Sequence, residues 1–253
     1  MKDSKAYLDK KAFFDTIITL YGRNVVLEIL NDETVEVHKL HLSQSNRDEG
    51  VIREIRELAG KRGVEIKTHT KEQLSRISKN AKQDQGVAID IIAPNYRKSD
   101  EIETTLGDSF RLLALDGVQN PQNLGMIVRS AAAGKIDGII LPTNSSAKIS
   151  PLVIKASAGT LFKIPIFHCK TLEAPLAGLA GSSEIYALSS HAKEDIYSLK
   201  MGKRVVFVLG NESEGVSPAV SRLCNKSLSI PMARGVESLN VAVTAALLAF
   251  LPA

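Results

Sequence analysis

The sequence has only two cysteines, Cys169 and Cys224, which stand far apart without a Cys-x-x-Cys spacing. This scarcity argues against a disulfide framework and against a structural zinc site. The five histidines form no ligand cluster either, since only His38 and His41 are near neighbours. We therefore expect no metal, and we expect both cysteines to be small buried hydrophobic residues.

Long hydrophobic runs are also absent. The longest apolar run, Val241 to Pro252, is too short to span a bilayer, and the opening Met1–Lys5 leads into charged sequence without an apolar signal core. A cytoplasmic location without a membrane partner is the expectation. The chain does have 253 residues, of which 44% are hydrophobic, so it can bury a sizeable core in two modest domains or one large one.

Charge of one sign is only mildly in excess. The formal net charge is +4, and ten Lys or Arg residues stand against six Asp or Glu residues between Arg47 and Lys82. Such a basic segment suits a polyanionic partner, and a solvated helix face explains the same excess about as well.

The first part of the chain is predicted to be a small α/β unit. Helical patterns cover Phe13 to Leu30 and Val51 to Lys61, with Gly63 at the end of the second. Strands are predicted at Val35–Leu42, Val64–Ile66 and Val87–Ile92. The next stretch is polar and lacks periodicity, which is typical of a linker. The predicted boundaries are 1–94 for the front domain, 95–107 for the linker and 108–253 for the second domain.

The second domain alternates short apolar runs with segments of helical length. Runs of this kind, buried on both faces, are typical of a parallel sheet flanked by helices. Ligands of such sheets bind outside the carboxyl ends of the strands, and each polar cluster of this domain falls just after a predicted strand. The predicted strands are Arg111–Leu115, Gly138–Leu141, Ile185–Leu188, Val205–Leu209 and Leu228–Ile230.

The first polar cluster runs from Asp116 to Ala131. Asn123 is placed to start a helix, and Gly125 in its first turn indicates the close approach of another backbone or of a ligand. The side chain of Arg129 tilts back toward the helix N-terminus, where a phosphate or carboxylate would dock. An ordinary surface arginine is an equally good interpretation of this segment alone.

The second cluster runs from Val206 to Val216, where an apolar strand is followed by Gly210, an acidic pair and Gly215. It contains neither G-x-G-x-x-G nor a Walker Gly-Lys-Ser/Thr, which disfavours a Rossmann dehydrogenase and an ATPase. Glu212 follows the end of a buried strand, where a carboxylate can pair with a cation or a hydroxyl. A plain acidic residue at a helix N-terminus is the alternative.

The third cluster, Ile230 to Asn240, joins a short strand to a helix. Pro231 fixes its own φ and Gly235 permits conformations closed to other residues, so the backbone can present N–H and C=O groups to a ligand. Ser238 or Asn240 is expected to cap the helix. Alone, the segment is better interpreted as an ordinary capped loop, and the two similar segments upstream favour a ligand site.

Together the clusters resemble the motifs of the SpoU (TrmH-like) family of RNA ribose 2′-O-methyltransferases, in the SPOUT superfamily. They follow the family's order and spacing between Leu112 and Phe250. The front domain, with Tyr21–Val25 and Gln85-Gly86, is similar to the ribosomal-protein-like substrate-binding domain of many members. The three motifs are Asn123-Leu124-Gly125 with Arg129, then Leu209 to Gly215, then Ile230-Pro231-Met232 with Ser238-Leu239-Asn240.

The resemblance implies a fold and a cofactor. The fold is α/β, with a small α/β substrate-binding domain followed by a parallel-sheet SPOUT domain that contains a deep trefoil knot. The cofactor is S-adenosyl-L-methionine, bound at the knot, and the protein is a homodimer joined through its C-terminal domain. By motif, Gly210, Ile230 and Leu239 would contact the cofactor, and Leu209 and Met232 would line its pocket.

The implied reaction is displacement at a sulfonium methyl by a ribose 2′-hydroxyl. Arg129 would orient the target phosphate and stabilise the developing alkoxide, because a guanidinium keeps its proton. The basic segment of the front domain would grip the RNA backbone. Asn123 would position Arg129 or the ribose, Glu212 would hold the polar network, and Ser238 and Asn240 would line the methyl-transfer site.

The resemblance favours 23S-type large-subunit rRNA as the substrate. The front domain favours rRNA over tRNA, and Leu115–Val118 is more similar to the housekeeping large-subunit group than to the resistance group. Two alternatives stay open: a tRNA or antibiotic-resistance rRNA 2′-O-methyltransferase, and a non-catalytic RNA-binding assembly factor. Some positions depart from the family's pattern: Asp84 stands where the family often has His, Ser213 replaces a Gly, and Ala242 and Thr244 alter the end of the third motif.

Overall fold

A computed structural model describes residues 13–14, 16–79 and 83–252 of the chain. The opening Met1–Lys5 and Lys82, the last residue of the basic segment, lie outside the described residues. Packing divides the chain into two compact units, Met1–Pro94 and Asn95–Ala253.

The first unit is a four-stranded sheet with three helices in its described part. The strand order is β1-β4-β2-β3, in which β2 and β3 are parallel and the other neighbours antiparallel. The elements are β1 (Ile17–Tyr21), α1 (Arg23–Asn31), β2 (Val37–Ser43), α2 (Val51–Lys61), β3 (Glu65–His69), α3 (Lys71–Ser78) and β4 (Val87–Ile92).

The helix predicted from Phe13 to Leu30 is wrong over its middle. Ile17–Tyr21 is a strand that pairs with β4 along its whole length, and α1 begins only at Arg23. β-Branched residues suit the pleated surface of a strand. Gly22, with φ +98°, separates the two elements.

Helix α2 matches its prediction, and α3 was missed. Thr70 caps α3 through its hydroxyl oxygen, which accepts from the Gln73 N–H at 3.3 Å, while the Gln73 side chain accepts from the Thr70 N–H at 3.0 Å. Thr-x-x-Gln is a capping box, so a signal for this helix was present in the sequence. The helix is otherwise polar, and Leu74 and Ile77 are its two apolar residues.

A chain of polar side chains crosses all four strands of this sheet. Thr19 donates to Asp90 at 2.6 Å, His41 Nε2 donates to the other carboxylate oxygen at 3.0 Å, and His41 Nδ1 lies 2.9 Å from His69 Nε2. Burial and the charge on His41 lower the pKa of His69. Burial opposes ionisation of Asp90, but the hydrogen bonds from His41 and Thr19 outweigh it, so its pKa is lowered.

Arg62 joins the end of α2 to the end of α1. Its guanidinium donates to the carbonyls of Ile29, Leu30 and Asp32 at 2.9–3.1 Å, and also to that of Val35. The last carbonyls of a helix lack intrahelical partners, and a cation is favourable there. One side chain therefore satisfies four acceptors.

We predict that Arg62→Lys destabilises the first unit by about 2 kcal/mol, because a lysine ammonium can donate to fewer of these carbonyls than the planar guanidinium of arginine can. Chemical denaturation followed by circular dichroism measures the effect. Arg53→Lys is the matched control, because the Arg53 guanidinium donates only to the Asp48 carbonyl in the described structure and is exposed. Equal midpoints for the two variants would contradict the bridging role.

The second unit is built on an eight-stranded sheet in which every neighbouring pair is parallel. Its order is β10-β12-β9-β11-β6-β7-β8-β5. The strands are β5 (Tyr96–Lys98), β6 (Phe110–Leu115), β7 (Gly138–Pro142), β8 (Ile166–Cys169), β9 (Glu184–Leu188), β10 (Glu194–Asp195), β11 (Arg204–Leu209) and β12 (Lys226–Ser229).

The helices of the second unit alternate with these strands. The predicted parallel α/β architecture is confirmed, and the five predicted strands correspond to β6, β7, β9, β11 and β12. Strands β5, β8 and β10 were missed. The helices are α4 (Ile102–Leu106), α5 (Pro121–Ala133), α6 (Pro151–Ala156), α7 (Glu173–Leu179), α8 (Pro218–Ser221) and α9 (Val241–Ala249), with short 3₁₀ turns at Ser99–Glu101 and Thr160–Phe162.

The segment 95–107, predicted to be a linker, belongs to the fold of the second unit. Strand β5 pairs with β8, the Asn95 amide donates to the carbonyls of Leu161 and Ile164, and α4 follows. A short strand at the edge of a sheet keeps one side in water, so it needs no apolar run. That is why its polar sequence resembles a linker.

Gly125 allows α5 and α6 to pack closely. A Cβ at this position would lie 2.5 Å from the Ala156 Cβ and 2.7 Å from the Val153 carbonyl oxygen. The expected close approach of another backbone is therefore found, and the backbone is that of α6. Within the described residues, no helix combines the length and the apolar character needed to cross a membrane.

Candidate active site

A cavity of about 470 Å³ opens at the carboxyl ends of β9, β11 and β12. The predicted cofactor-site residues all line it, and so do Glu212 and Ser238. Asn123, Asn240 and Arg129 are not among its lining residues. Those predicted residues that line the cavity are Leu209, Gly210, Glu212, Ile230, Met232, Ser238 and Leu239.

The loop after β11 closes on itself. Asn211 and Gly215 exchange two backbone hydrogen bonds of 2.9 Å, so Gly210 lies directly against the Gly215 backbone. A Cβ on Gly210 would lie 2.0 Å from the Gly215 carbonyl carbon and 2.2 Å from the Val216 nitrogen. Only a glycine fits there, and this side of the cavity is consequently formed by backbone.

Side chains from all three motifs meet beside the cavity. Asn123 Nδ2 and Asn240 Nδ2 both donate to Glu212 Oε1, at 2.8 and 2.9 Å, and Asn240 Nδ2 lies 3.2 Å from Asn123 Oδ1. The Asn240 Oδ1 atom accepts from the Ala242 N–H at 2.9 Å and so caps α9. Glu212 therefore holds two amides rather than the cation or hydroxyl that its position suggested.

The start of α5 differs from its prediction. Asn120 is the N-cap, with its side chain accepting from the N–H groups of Gln122 and Asn123, and Pro121 is the first helical residue. Proline suits this position because it lacks the N–H that would stay unpaired. Asn123 thus lies in the first turn, where its side chain faces Glu212. A smaller cavity of about 190 Å³ adjoins this turn.

Arg129 lies away from this constellation. It occupies an exposed stripe of α5 with Gln122, Met126 and Ala133, whereas Asn123 is buried about 120° around the helix axis. No hydrogen bond or ion pair joins its side chain to another residue of the described ranges. The structure does not bring Arg129 to the cavity of its own chain.

The cavity wall is acidic. Glu212, Glu214 and Glu237 contribute carboxylates, and no lysine or arginine of the described chain is among the lining residues. Residues Ser189–His191, which follow β9, form a further part of the wall that was not predicted. The rule that ligand loops follow parallel strands applied there too and could have found it.

The two cysteines take no part in this site. Burial raises the pKa of Cys169 and of Cys224 to about 11, so both stay protonated and unreactive near neutral pH. Across the described residues, no group of three or more His, Cys, Asp or Glu side chains is arranged to hold a metal ion. Among the described residues, the polar side chains at the cavity are amides, hydroxyls, carboxylates and the imidazole of His191.

Comparison with known families identifies this arrangement. Residues 111–250, more than half of the chain, match the family described as SpoU rRNA Methylase family. The chain belongs to this family. Residues 19–97 match a second family, described as RNA 2′-O ribose methyltransferase substrate binding, so a substrate-binding domain precedes the SpoU methylase domain.

Individual relatives share both parts. A protein of Xylella fastidiosa (strain 9a5c) named 23S rRNA (guanosine-2′-O-)-methyltransferase RlmB is 30% identical over 235 residues, 91% of this chain and 94% of its own length. An uncharacterized tRNA/rRNA methyltransferase of Mycobacterium sp. (strain KMS) is 32% identical over 228 residues, 88% of this chain and 72% of its own.

Solved structures share the fold. The SpoU methyltransferase AviRb from Streptomyces viridochromogenes, in complex with AdoMet, aligns with 97% of this chain and 91% of its own, with a TM-score of 0.60 and 21% identity. A putative RNA methyltransferase of the TrmH family from Porphyromonas gingivalis aligns over 97% and 91%, with a TM-score of 0.59 and 25% identity.

The departures from the SpoU pattern have local explanations. Asp84, in place of the usual His, accepts from the Gly86 N–H at 2.9 Å and from the Ser78 hydroxyl at 2.8 Å, so it builds the turn before β4. Ala242 contributes only its backbone N–H to the α9 cap. Ser213 and Thr244 both line the cavity, where their side chains are positioned to affect what binds.

We predict that Gly210→Ala destabilises the SpoU methylase unit by about 3 kcal/mol or more, because the new Cβ collides with backbone that has no room to move. The control is Gly178→Ala in α7, where a Cβ would meet no atom within 4 Å and should stabilise the protein by about 0.5–1 kcal/mol. Denaturant midpoints compare the two. If the two variants had similar stability, the loop after β11 would be able to move far enough to accommodate the new Cβ, which would contradict the prediction.

Proposed function

We propose that this protein is an S-adenosyl-L-methionine-dependent RNA ribose 2′-O-methyltransferase that acts on 23S-type large-subunit rRNA. The observation that carries the proposal is the meeting of Asn123, Glu212 and Asn240, one from each motif, beside the cavity. The relatives named RlmB support the substrate. An enzyme with this substrate works where ribosomes are assembled, in the cytoplasm.

The charge of the cavity supports this cofactor. S-adenosylmethionine carries a sulfonium and an ammonium, and the carboxylates of Glu212, Glu214 and Glu237 attract both. A nucleotide di- or triphosphate would meet the same carboxylates with its own negative charge. The volume, about 470 Å³, lies within the range of small-molecule sites. We assign cofactor contacts to Leu209, Gly210, Ile230, Met232 and Leu239.

When bound, the cofactor supplies an electrophilic methyl group. The chain's own residues must then hold the ribose in line with that methyl and favour the ionised 2′-oxygen. We assign the wall of the methyl-transfer site to Ser238 and Asn240, with Asn240 held in place by Glu212 and by its cap on α9. Oxygen Oε1 of Glu212 already accepts from two amides, so Glu212 acts as the support of the network.

The two units divide the work in this proposal. The unit up to Pro94 binds RNA, and the unit from Asn95 onward performs methyl transfer, with the C-terminal loops wound into the family's trefoil knot. The match of residues 19–97 to a substrate-binding family supports the first assignment. The basic segment Arg47–Lys82 supplies charge for the RNA backbone, so affinity should fall with salt.

We further propose a homodimer joined through the outer face of α5, α6 and α9. Helix α5 packs against both of the others, and this face exposes the large apolar side chains of Met126, Leu152, Val243 and Phe250. Large apolar side chains that are exposed on neighbouring helices are typical of an interface. Arg129 lies on the same face, so a dimer formed here presents Arg129 to the partner subunit.

We predict that Arg129→Ala lowers the methylation rate on in vitro transcribed 23S rRNA by at least about 10²-fold and leaves the affinity for S-adenosylmethionine within about twofold, since removing a group that stabilises charge in the transition state typically costs this much. Calorimetry measures the affinity, and Arg97→Ala on β5 is the exposed-arginine control. Normal turnover in Arg129→Ala would refute the role. The absence of any cofactor heat in the wild type would instead favour a non-catalytic RNA-binding factor.

The substrate is identified by the same assay. Mapping of 2′-O-methyl groups in 23S rRNA and in total tRNA, after incubation with the wild type, separates the two RNA classes. Methylation confined to tRNA would contradict the rRNA assignment and leave the methyltransferase assignment intact.

We predict that Arg129→Ala and Asn240→Ala complement each other. Each homodimer should be inactive, and mixed dimers that carry both changes on different chains should recover about a quarter to a half of wild-type activity, since only one of their two composite sites is intact. Co-expression with two purification tags isolates the mixed dimer. No recovery would show that Arg129 acts on its own chain's site.

A further inference from the structure

The loop that walls the cavity on the side of β12 contains a tight turn. Met232 and Glu237 both line the cavity, and between them Ala233–Val236 form a turn closed by the hydrogen bond from the Val236 N–H to the Ala233 carbonyl at 3.2 Å. The two central residues, Arg234 and Gly235, have φ of +58° and +72°. Positive φ at both positions is the signature of a type I′ turn.

Arginine does not suit the first central position of this turn. Asparagine, aspartate and glycine are preferred there, because a positive φ brings the Cβ of other residues too close to the backbone. Packing does not explain the choice either. Arg234 is exposed, and its side chain forms no hydrogen bond or ion pair with another residue of the described part of the chain. A residue that is locally strained and unsupported by contacts at a cavity rim suggests a function.

The charges around the cavity indicate what that function is. The wall contains the carboxylates of Glu212, Glu214 and Glu237, and no lysine or arginine of the described ranges lines it beside them. These carboxylates suit a cationic cofactor, but they repel the phosphates on either side of a target ribose. Arg129 lies on the outer face of α5. Arg234 lies in the turn between two lining residues, Met232 and Glu237, so it stands next to the cavity without forming part of its wall.

We propose that Arg234 binds a phosphate of the RNA backbone next to the ribose that is methylated. This inference rests on the proposed function. The guanidinium offers two parallel N–H groups to the phosphate oxygens, which fixes the orientation of the nucleotide as well as its distance from the wall. The turn holds the Arg234 side chain outward, so the positive charge faces the solvent through which RNA arrives. Arg234 thereby offers the RNA backbone a cation beside the acidic cavity wall.

The test replaces Arg234 by the residue that the turn itself prefers. Arg234→Gly relieves the positive φ, so the thermal midpoint should be unchanged or higher, and calorimetric affinity for S-adenosylmethionine should stay within about twofold. Binding of in vitro transcribed 23S rRNA should weaken about tenfold at low salt, and the slope of log K against log salt should become shallower by about one unit. Arg234→Lys should restore the slope with only part of the affinity.

Lys203→Ala is the control, because Lys203 is exposed and precedes β11, at the amino end of the strand, whereas the cavity lies at the carboxyl end. It should leave both RNA affinity and slope as in the wild type. An Arg234→Gly protein with wild-type RNA affinity and slope would overturn the inference, as would one that loses stability or cofactor binding. The proposed function is tested separately by the methylation assay. A wild-type protein that methylates neither 23S rRNA nor tRNA would contradict the proposed function, whereas the binding measurements test only the role of Arg234.

Discussion

One carboxylate oxygen connects the parts of the chain on which the site depends. Glu212 Oε1 accepts from Asn123, 89 positions earlier, and from Asn240, 28 positions later. Both bonds are assisted by the charge of the carboxylate, so neither amide rotates freely. Because Asn240 also caps α9 through Ala242, the start of that helix and the third motif are set by the same side chain. Three motifs that lie far apart in the sequence are thus held in one fixed arrangement.

Close backbone contact keeps that geometry stiff. Gly210 lets the loop after β11 fold onto itself, and Asn211 from the same loop donates to the Gly117 carbonyl at 3.0 Å, which ties the second motif to the loop of the first. Gly125 lets α5 rest directly on α6. A site made from backbone on adjacent strands and helices holds its shape better than one made from long side chains. Glycine at these two positions therefore serves packing rather than flexibility.

The elements that could be predicted from sequence are those whose formation depends on residues close to one another in the chain. Val51–Lys61 has a helical period, and the five buried strands of the second unit are apolar runs, so both kinds of element were found. Ile17–Tyr21 became a strand only because β4 pairs with it, which no local pattern records. Tyr96–Lys98 is polar because it lies at a sheet edge, and it therefore resembled a linker.

The site shows the same division. The motif residues that line the cavity are carried on loops that follow strands, so their convergence followed from the parallel sheet. The hydrogen bond from Asn123 to Glu212 could not be predicted in this way, because it depends on which way the first turn of α5 faces. Asn120 sets that turn by starting the helix three residues before Asn123. The position of Arg129 follows from the same orientation of α5. Arg129 comes six residues after Asn123, so its side chain points to a different face of the helix.

The distribution of charge adds a constraint on how such a site can turn over. Carboxylates that attract a sulfonium also discriminate between cofactor and product, because transfer of the methyl group leaves a neutral thioether and removes one positive charge from the ligand. In the proposed complex, the attraction from Glu212, Glu214 and Glu237 is weaker after the reaction than before it, so the product leaves more easily. The RNA has the opposite requirement, since its phosphates need cations on the surface and none inside. An acidic cavity wall with arginines outside it meets both requirements. This division of charge explains why the described cavity wall has no lysine or arginine in an enzyme that handles a polyanion.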